Sequence, residues 1–153
     1  MIMDTNIKAF LDMIAYSELG ADLLKRSDNG YNVIVGGSLS SNYSDHPRKR
    51  VWIKSIKNYS TAAGRYQILE RYYDHYKVSL HLPDFSPNSQ DAIAIQMIKE
   101  QGAYSHILKG HFATAIQLVS NIWASLPGAG YNQPERSYAS LELAYKNAGG
   151  KIS

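Results

Sequence analysis

Glu18 closes an apolar helical stretch, with Gly20 just beyond it, and Ser60-Thr61-Ala62-Ala63-Gly64-Arg65-Tyr66-Gln67 follows further along the chain. A lone carboxylic acid at a helix end can serve as a general acid if it keeps its proton near neutral pH. Two local features favour that. The carboxyl end of a helix carries partial negative charge, which disfavours a second anion there. Ala15 and Tyr16 can also strip water from the carboxyl group. An acid tuned in this way suits cleavage of a glycosidic bond, where the leaving oxygen must be protonated as charge builds on the sugar. Taken alone, helix position favours the plainer reading of an exposed glutamate.

The Gly64-Arg65-Tyr66-Gln67 segment adds weight to the chemical reading. Gly64 permits close approach of a ligand to the backbone. Tyr66 offers a ring face and a hydroxyl, and Gln67 offers both a donor and an acceptor. Ser60 and Tyr43 are further candidates for sugar contact. The stretch Asn121-Ile122-Trp123-Ala124-Ser125-Leu126-Pro127-Gly128 leaves a helix and enters a glycine-rich loop. Backbone amides and a hydroxyl in such a loop match the N-acetyl and hydroxyl groups of sugars. Asn121, Trp123, Ser125 and Tyr131 are the candidates there, although Trp123 reads first as a core residue.

A hydrolase would need a second carboxylate about 5–9 Å from the first. Asp22, Asp28 and Asp45 are available, and Asp45, in Ser44-Asp45-His46-Pro47, reads as a turn former. No metal or cofactor is expected. There are no cysteines, which excludes thiolate ligands and thiolate catalysis. His75 and His81, and His106 and His111, miss the i, i+4 spacing of a helical zinc pair.

These residues need elements to hold them. Ile7, Phe10, Leu11 and Ile14 recur at helical spacing, and Asp4, Thr5 and Asn6 are N-cap candidates. Residues 31–69 change character. Tyr31-Asn32-Val33-Ile34-Val35, Val51-Trp52-Ile53 and Arg65-Tyr66-Gln67-Ile68 are strand-like, and Gly36-Gly37 marks a turn. A small irregular β lobe is predicted over 31–69. From Leu69 onward the pattern is helical. Tyr72, Tyr73 and Tyr76 share one helix. Ser86-Pro87 opens another, which runs to Glu100 as the expected buried central helix and stops at Gly102. Helices at 103–109 and around Phe112, Ala115, Ile116 and Val119 follow. A Gly/Pro loop at 124–134 precedes the last helix, which carries Tyr138, Leu141 and Tyr145. The expected architecture is α+β, a mainly helical lobe plus a small β lobe with an active-site cleft between them.

The 153 residues suit one domain, 1–153, and 44% hydrophobic with 19% charged residues is an ordinary globular balance. The N-terminus has no signal-peptide pattern, and no apolar stretch reaches the ~20 residues of a membrane span. Net charge is +3, which favours anionic polymers without choosing among them. Arg48-Lys49-Arg50 with Lys54 and Lys57 forms the main basic run, interleaved with Trp52 and Tyr59. It reads as a solvated rim that attracts anionic cell wall rather than as a nucleic-acid surface.

Several blocks together carry a resemblance. They are Tyr43-Ser44-Asp45-His46-Pro47-Arg48-Lys49, Ala63-Gly64-Arg65-Tyr66-Gln67, Phe85-Ser86-Pro87 with Ser89-Gln90-Asp91-Ala92, and Asn121 through Tyr131. Lys8-Ala9-Phe10-Leu11-Asp12-Met13 and Ala148-Gly149-Gly150 extend it to both ends. In order and spacing these resemble the lambda-type phage endolysins, the lambda lysozyme family, over essentially the whole chain. The resemblance implies a lysozyme-like fold and a peptidoglycan lytic transglycosylase. Such an enzyme cuts the β-1,4 bond between N-acetylmuramic acid and N-acetylglucosamine and leaves 1,6-anhydromuramyl ends. A hydrolytic muramidase with a second carboxylate is the alternative. Glu18 falls on the family's catalytic glutamate. The partners implied are peptidoglycan glycan strands and a holin-type membrane permeabiliser. No nucleic acid is expected, and a monomer is. The expected location is the host cytoplasm until release to the periplasm. The chain departs from the family at Leu19, where glycine usually follows the glutamate, and at Tyr16, where tryptophan is expected.

Overall fold

A computed structural model describes residues 3–130 and 135–153. Helix α1 spans Thr5–Lys25. Asp4 caps it, its Oδ1 accepting the backbone N–H of Asn6 at 2.8 Å and of Ile7 at 3.2 Å. The helix is broken at Gly20, whose φ of 79° and ψ of 159° are not helical. Glu18 therefore stands near the end of the first helical segment, as the sequence implies, and a second short segment continues to Lys25. The apolar stripe is buried through Ile7, Phe10, Leu11 and Ile14, and it continues to Ser17.

The remaining α-helices among the described residues are α2 (Glu70–Ser79), α3 (Pro87–Glu100), α4 (Tyr104–Leu108), α5 (Phe112–Val119) and α6 (Tyr138–Asn147). Pro87 is the first residue of α3, where its missing N–H costs nothing. Ile93, Ala94 and Ile98 are fully buried along α3, which bears out its reading as a core helix. Ser137 caps α6 by accepting the Ser140 N–H.

The chain divides into two compact units, one of residues 1–18 and 95–153, the other of residues 19–94. In the first, Phe10 meets Phe112 and Tyr145 edge-on, and Phe112 stacks on Tyr145 with ring centres 4.6 Å apart. Ile107, Ile116, Val119, Trp123 and Leu141 complete that core. Its C-terminal segment is tied down, with Lys151 N–H donating to Asn6 Oδ1 and Ser153 N–H to the Gly110 carbonyl.

The second unit is less regular than residues 31–69 suggest. Its one sheet among the described residues has two short antiparallel strands, β1 (Val51–Ile53) and β2 (Asn58–Ser60), with Trp52 opposite Tyr59. The β-branched run Val33-Ile34-Val35 forms no strand. It makes single pairings with Leu39 and Ala63 and buries Val33 and Ile34 in coil. Gly64 through Gln67 is a turn, not a strand. Ala63 and Ile68 exchange backbone hydrogen bonds at 3.1 and 2.8 Å across it, with Gly64 (φ 82°) and Gln67 (φ 51°) both left-handed. The core of this unit gathers Tyr66, Ile68, Tyr73, Phe85 and Ile93.

Candidate active site

The C-terminal end of the first helical segment and the loop after α5 meet at Glu18. The Ser125 hydroxyl donates to Glu18 Oε2, and the Ser125 backbone N–H also bonds this carboxyl group. Ser17 Oγ lies 2.7 Å from Ser125 Oγ. Arg136 Nε–H donates to the Ser17 carbonyl at 3.1 Å, and its guanidinium sits 5.3 Å from the centre of the Tyr16 ring. The loop is pinned at its base by the Arg136 N–H on the Ser125 carbonyl. The Glu135 carboxylate accepts the backbone N–H groups of Gly128 and Gly130, 3.1 Å each.

Burial dominates the electrostatics of Glu18. Loss of water pushes its pKa up to about 7, against the opposing pull of the Ser125 hydrogen bonds and the more distant charge of Arg136. Among the described residues no ion pair compensates the carboxylate directly, so its neutral form survives to the physiological range.

Ser125 therefore holds the acid, where the sequence suggested only sugar contact. Ser17 and Arg136 are residues that the sequence reading missed. The apolar stripe of α1 contains the signal for Ser17, since positions 17 and 18 continue the i, i+3, i+4, i+7 series onto the core face. A serine there, buried to 2% exposure, needs a polar partner.

Two sequence candidates are core residues instead. Tyr66 is fully buried. Its hydroxyl donates to Asp91 Oδ1 at 2.6 Å and accepts from Arg65 Nη1 at 2.9 Å. Neither ring nor hydroxyl is left for a sugar. Trp123 is 2% exposed and packs in the first unit, so it is no stacking platform. Among the others, Gln67 is half-buried and spends its Nε2–H on the Gly64 carbonyl at 2.9 Å. Ser60 Oγ accepts the Ala62 N–H, and Tyr43 donates its hydroxyl to Asp28. Asn121 is exposed and donates to Gln101 Oε1 at 2.9 Å. Tyr131 lies outside the described residues.

The three candidate second carboxylates all have local partners. Asp22 pairs with Arg26 at 3.1 Å, Asp28 receives Tyr43, and Asp45 pairs with Arg48 at 2.8 Å. Arg48 is not the solvated rim cation expected of it, because it also binds Glu70 at 3.1 Å and Asp74 at 2.6 Å. Leu19, one departure from the family pattern, has a physical accommodation. A side chain at Gly30 would fall 2.7 Å from Leu19 Cδ1 and 2.9 Å from Leu24 Cδ2, so a bare glycine makes room for both leucines. No cluster of three or more metal-binding side chains occurs among the described residues.

The family model of the endolysins matches residues 8–152. The chain belongs to the endolysin family. It is 55% identical over 147 residues to the endolysin of Escherichia phage lambda, covering 95% of this chain and 92% of that protein. It is 47% identical over 154 residues to the endolysin of Escherichia phage P2, covering 95% and 93%. The structure of bacteriophage lambda lysozyme complexed with a chitohexasaccharide matches with a TM-score of 0.94 at 51% identity, over 100% of this chain and 99% of that one. A second structure of phage lambda lysozyme matches at 0.88, with the same identity and coverage. The protein is thus a phage endolysin of the lysozyme kind, a peptidoglycan-degrading enzyme with an α+β, lysozyme-like fold.

Proposed function

We propose that this endolysin is a lytic transglycosylase in which Glu18 is both acid and base. The observation that carries the reading is a single partly buried carboxyl group whose pKa stands at about 7. Protonated, Glu18 gives its proton to the glycosidic oxygen between the muramyl C1 and the N-acetylglucosamine O4. The C1–O4 bond breaks and its electron pair leaves with the oxygen. The resulting Glu18 carboxylate takes the proton of the muramyl 6-hydroxyl, whose oxygen forms the new bond to C1. Glu18 is protonated again, a 1,6-anhydromuramyl end has formed, and no water has been consumed. A group that must donate one proton and then accept another works best when its pKa lies near the working pH. A value near 7 meets both demands in turn.

The partners of Asp22, Asp28 and Asp45 support the same reading over hydrolysis, since each of these carboxylates is already committed locally. Gln67, Ser60, Tyr43, Asn121 and Tyr131 are the proposed sugar-contacting residues. The glycan strands of peptidoglycan are the proposed substrate, in keeping with the chitohexasaccharide bound by the lambda enzyme. Release from the host cytoplasm to the periplasm through a holin-type partner belongs to the same proposal, as does action as a monomer. No helix among the described residues is long and apolar enough to cross a membrane.

Mass spectrometry of muropeptides released from Gram-negative sacculi tests the chemistry. Fragments ending in 1,6-anhydromuramic acid, absent with Glu18→Gln, are the expected result. Reducing muramic acid ends, one water heavier, would replace the transglycosylase with a hydrolase and return attention to the three aspartates.

A further inference from the structure

The two serines beside Glu18 have a fixed order. With Glu18 ionised, Oε2 can only accept, so the single hydroxyl proton of Ser125 is directed at it. The contact of 2.7 Å between the Ser17 and Ser125 hydroxyls must then use the Ser17 proton. The chain therefore runs from Ser17 to Ser125 to Glu18. It is sheltered, because Ser17 is buried to 2% exposure and Arg136 holds the Ser17 carbonyl from the other side.

This order treats the two carboxyl oxygens differently. A proton placed on Oε2 would have to donate to Ser125. That would take the Ser125 hydroxyl proton off Glu18 and oblige it to turn to another acceptor, such as Ser17 Oγ at 2.7 Å. A proton placed on Oε1 leaves both serine hydroxyls as they are. Oε2 is then a carbonyl oxygen and still accepts from Ser125. A step that loads and unloads a proton with no hydroxyl rearrangement is cheaper in a preorganised site than one that must turn a hydrogen-bonded chain.

We infer that Ser17 and Ser125 are positioning residues whose hydroxyl chain reserves Oε2 of Glu18 as a standing acceptor and leaves Oε1 as the oxygen that gives and takes the catalytic proton. The inference rests on the reading of Glu18 as acid and base. Ser125 acts on Glu18 directly. Ser17 acts through Ser125, by polarising its hydroxyl and fixing its direction. A merely structural pair of serines would hold the loop and leave the titration of Glu18 where it is. A positioning pair sets that titration, because hydrogen bonds to the charged form favour it.

The test compares Ser125→Ala, Ser125→Thr and Ser17→Ala with the wild-type chain by two readouts. The first is the pH profile of sacculus solubilisation, which reports turnover whichever sugar ends are formed. The second is direct titration of the Glu18 side-chain carboxyl by NMR of 13C-glutamate-labelled protein, which needs no activity. In Ser125→Ala the carboxylate loses its hydroxyl donor. The midpoint is expected to rise by about one pH unit, with kcat falling about tenfold or more and KM within about twofold. Ser17→Ala is expected to shift the midpoint the same way by less. Ser125→Thr keeps a hydroxyl and is expected to restore the wild-type profile. A Glu18 midpoint unmoved in folded Ser125→Ala would overturn the inference, as would a loss confined to KM. Product ends are scored separately. Reducing ends with a shifted midpoint would remove the transglycosylase and leave the positioning role standing. Anhydro ends with an unmoved midpoint would do the reverse.

Discussion

Acidic side chains in two parts of this molecule are held in opposite states. At Arg48, three carboxylates share one guanidinium. Asp45, Glu70 and Asp74 all lie within 3.1 Å of its nitrogens, and hydrogen bonds from Arg48 hold Asp45 and Asp74 below the usual carboxylate range. At Glu18 the donors are neutral, a serine hydroxyl and its backbone N–H, and desolvation outweighs them. The difference is a matter of which term is left uncompensated. A full positive charge at hydrogen-bond distance stabilises the anion in a partly exposed setting. Dipoles alone do not recover the hydration that a buried carboxylate loses. The Arg48 cluster thereby contributes ordinary surface electrostatics, while the Glu18 site stores a proton at the pH where an enzyme can use it.

The sharpest break in that contrast is Glu18→Gln. It keeps the shape and removes the proton, and turnover of sacculi is expected to fall by about 10³-fold or more, since acid and base steps are both lost. Stability should move the other way. A carboxyl whose folded pKa is raised from 4.5 to about 7 stabilises the fold fully below the unfolded value, and that contribution is lost as pH rises through the folded one. Glutamine does not titrate. The variant should therefore match the wild type near pH 4 and exceed it by ~1–3 kcal/mol at pH 8. Urea unfolding at the two pH values measures this, and equal gains at both would mean that burial does not set the Glu18 pKa.

The next largest effect is expected at Gly64. A methyl group there would lie 2.3 Å from Gln90 Oε1 and 3.0 Å from the Phe85 ring, on a backbone with φ of 82°. Gln90 Oε1 is also the acceptor for the Arg65 N–H, and Gln90 is fully buried. Gly64→Ala combines left-handed strain with the loss of that network, at about 3 kcal/mol. Thermal unfolding should drop by roughly 6–12 °C. A drop under 2 °C would mean that the turn relaxes freely and that Gly64 serves ligand approach rather than packing.

Much of this was readable beforehand, and the failures share a cause. The α1 stripe, the Gly20 break and Pro87 act through neighbours close in sequence, so periodicity and capping rules find them. Glu18 was legible because it sits on such a pattern. The misreadings arose where distant segments decide. Val33-Ile34-Val35 has strand composition, yet its backbone bonds go to the scattered partners Gly30, Gly37, Ser38, Ala62 and Gly64, and no continuous ladder forms. Gly64 to Gln67 looked extended because Gln67 takes a left-handed φ of 51° that nothing in its residue type announces. Ser125 reaches Glu18 across 107 positions of sequence, and only the packed loop makes it a partner of the acid. Tyr66 was assigned to sugar because tyrosine hydroxyls are versatile. The half-buried Asp91 and buried Arg65 that consume this one are invisible in a linear motif.

Tyr66→Phe tests that reassignment. It deletes a hydroxyl that both donates and accepts in the core, removing the hydrogen bonds to Asp91 Oδ1 and from Arg65 Nη1 while Tyr31 still donates to Asp91. Stability should fall by about 1–3 kcal/mol, while KM for glycan, measured on the folded variant, stays within about twofold. A tenfold rise in KM at unchanged stability would restore the hydroxyl to the sugar site.

The smallest effect is expected at the other pole of the comparison. Arg48→Met keeps the aliphatic stem and removes the shared charge. Asp45 and Asp74 are about half exposed, and Arg48 itself is 34% exposed, so solvent screens the cluster. The loss should be only ~0.5–1 kcal/mol at neutral pH. Its pH dependence is the informative part, and its sign is opposite to that of Glu18. Folded pKa values depressed below the unfolded ones contribute stability that is present above the unfolded value, about 3.9, and lost as pH falls through the folded value. Wild type and variant should thus differ at pH 7 and converge on acidification, whereas wild type and Glu18→Gln differ at pH 8 and converge near pH 4 for the reverse reason. Unfolding free energies of the three proteins between about pH 3 and 8 would place both clusters on one plot. If the Arg48→Met deficit persists undiminished at pH 3, the guanidinium contributes through packing over Tyr73, whose ring centre lies 5.8 Å from it, and not through the carboxylates. The contrast between compensated and uncompensated acids would then rest on Glu18 alone.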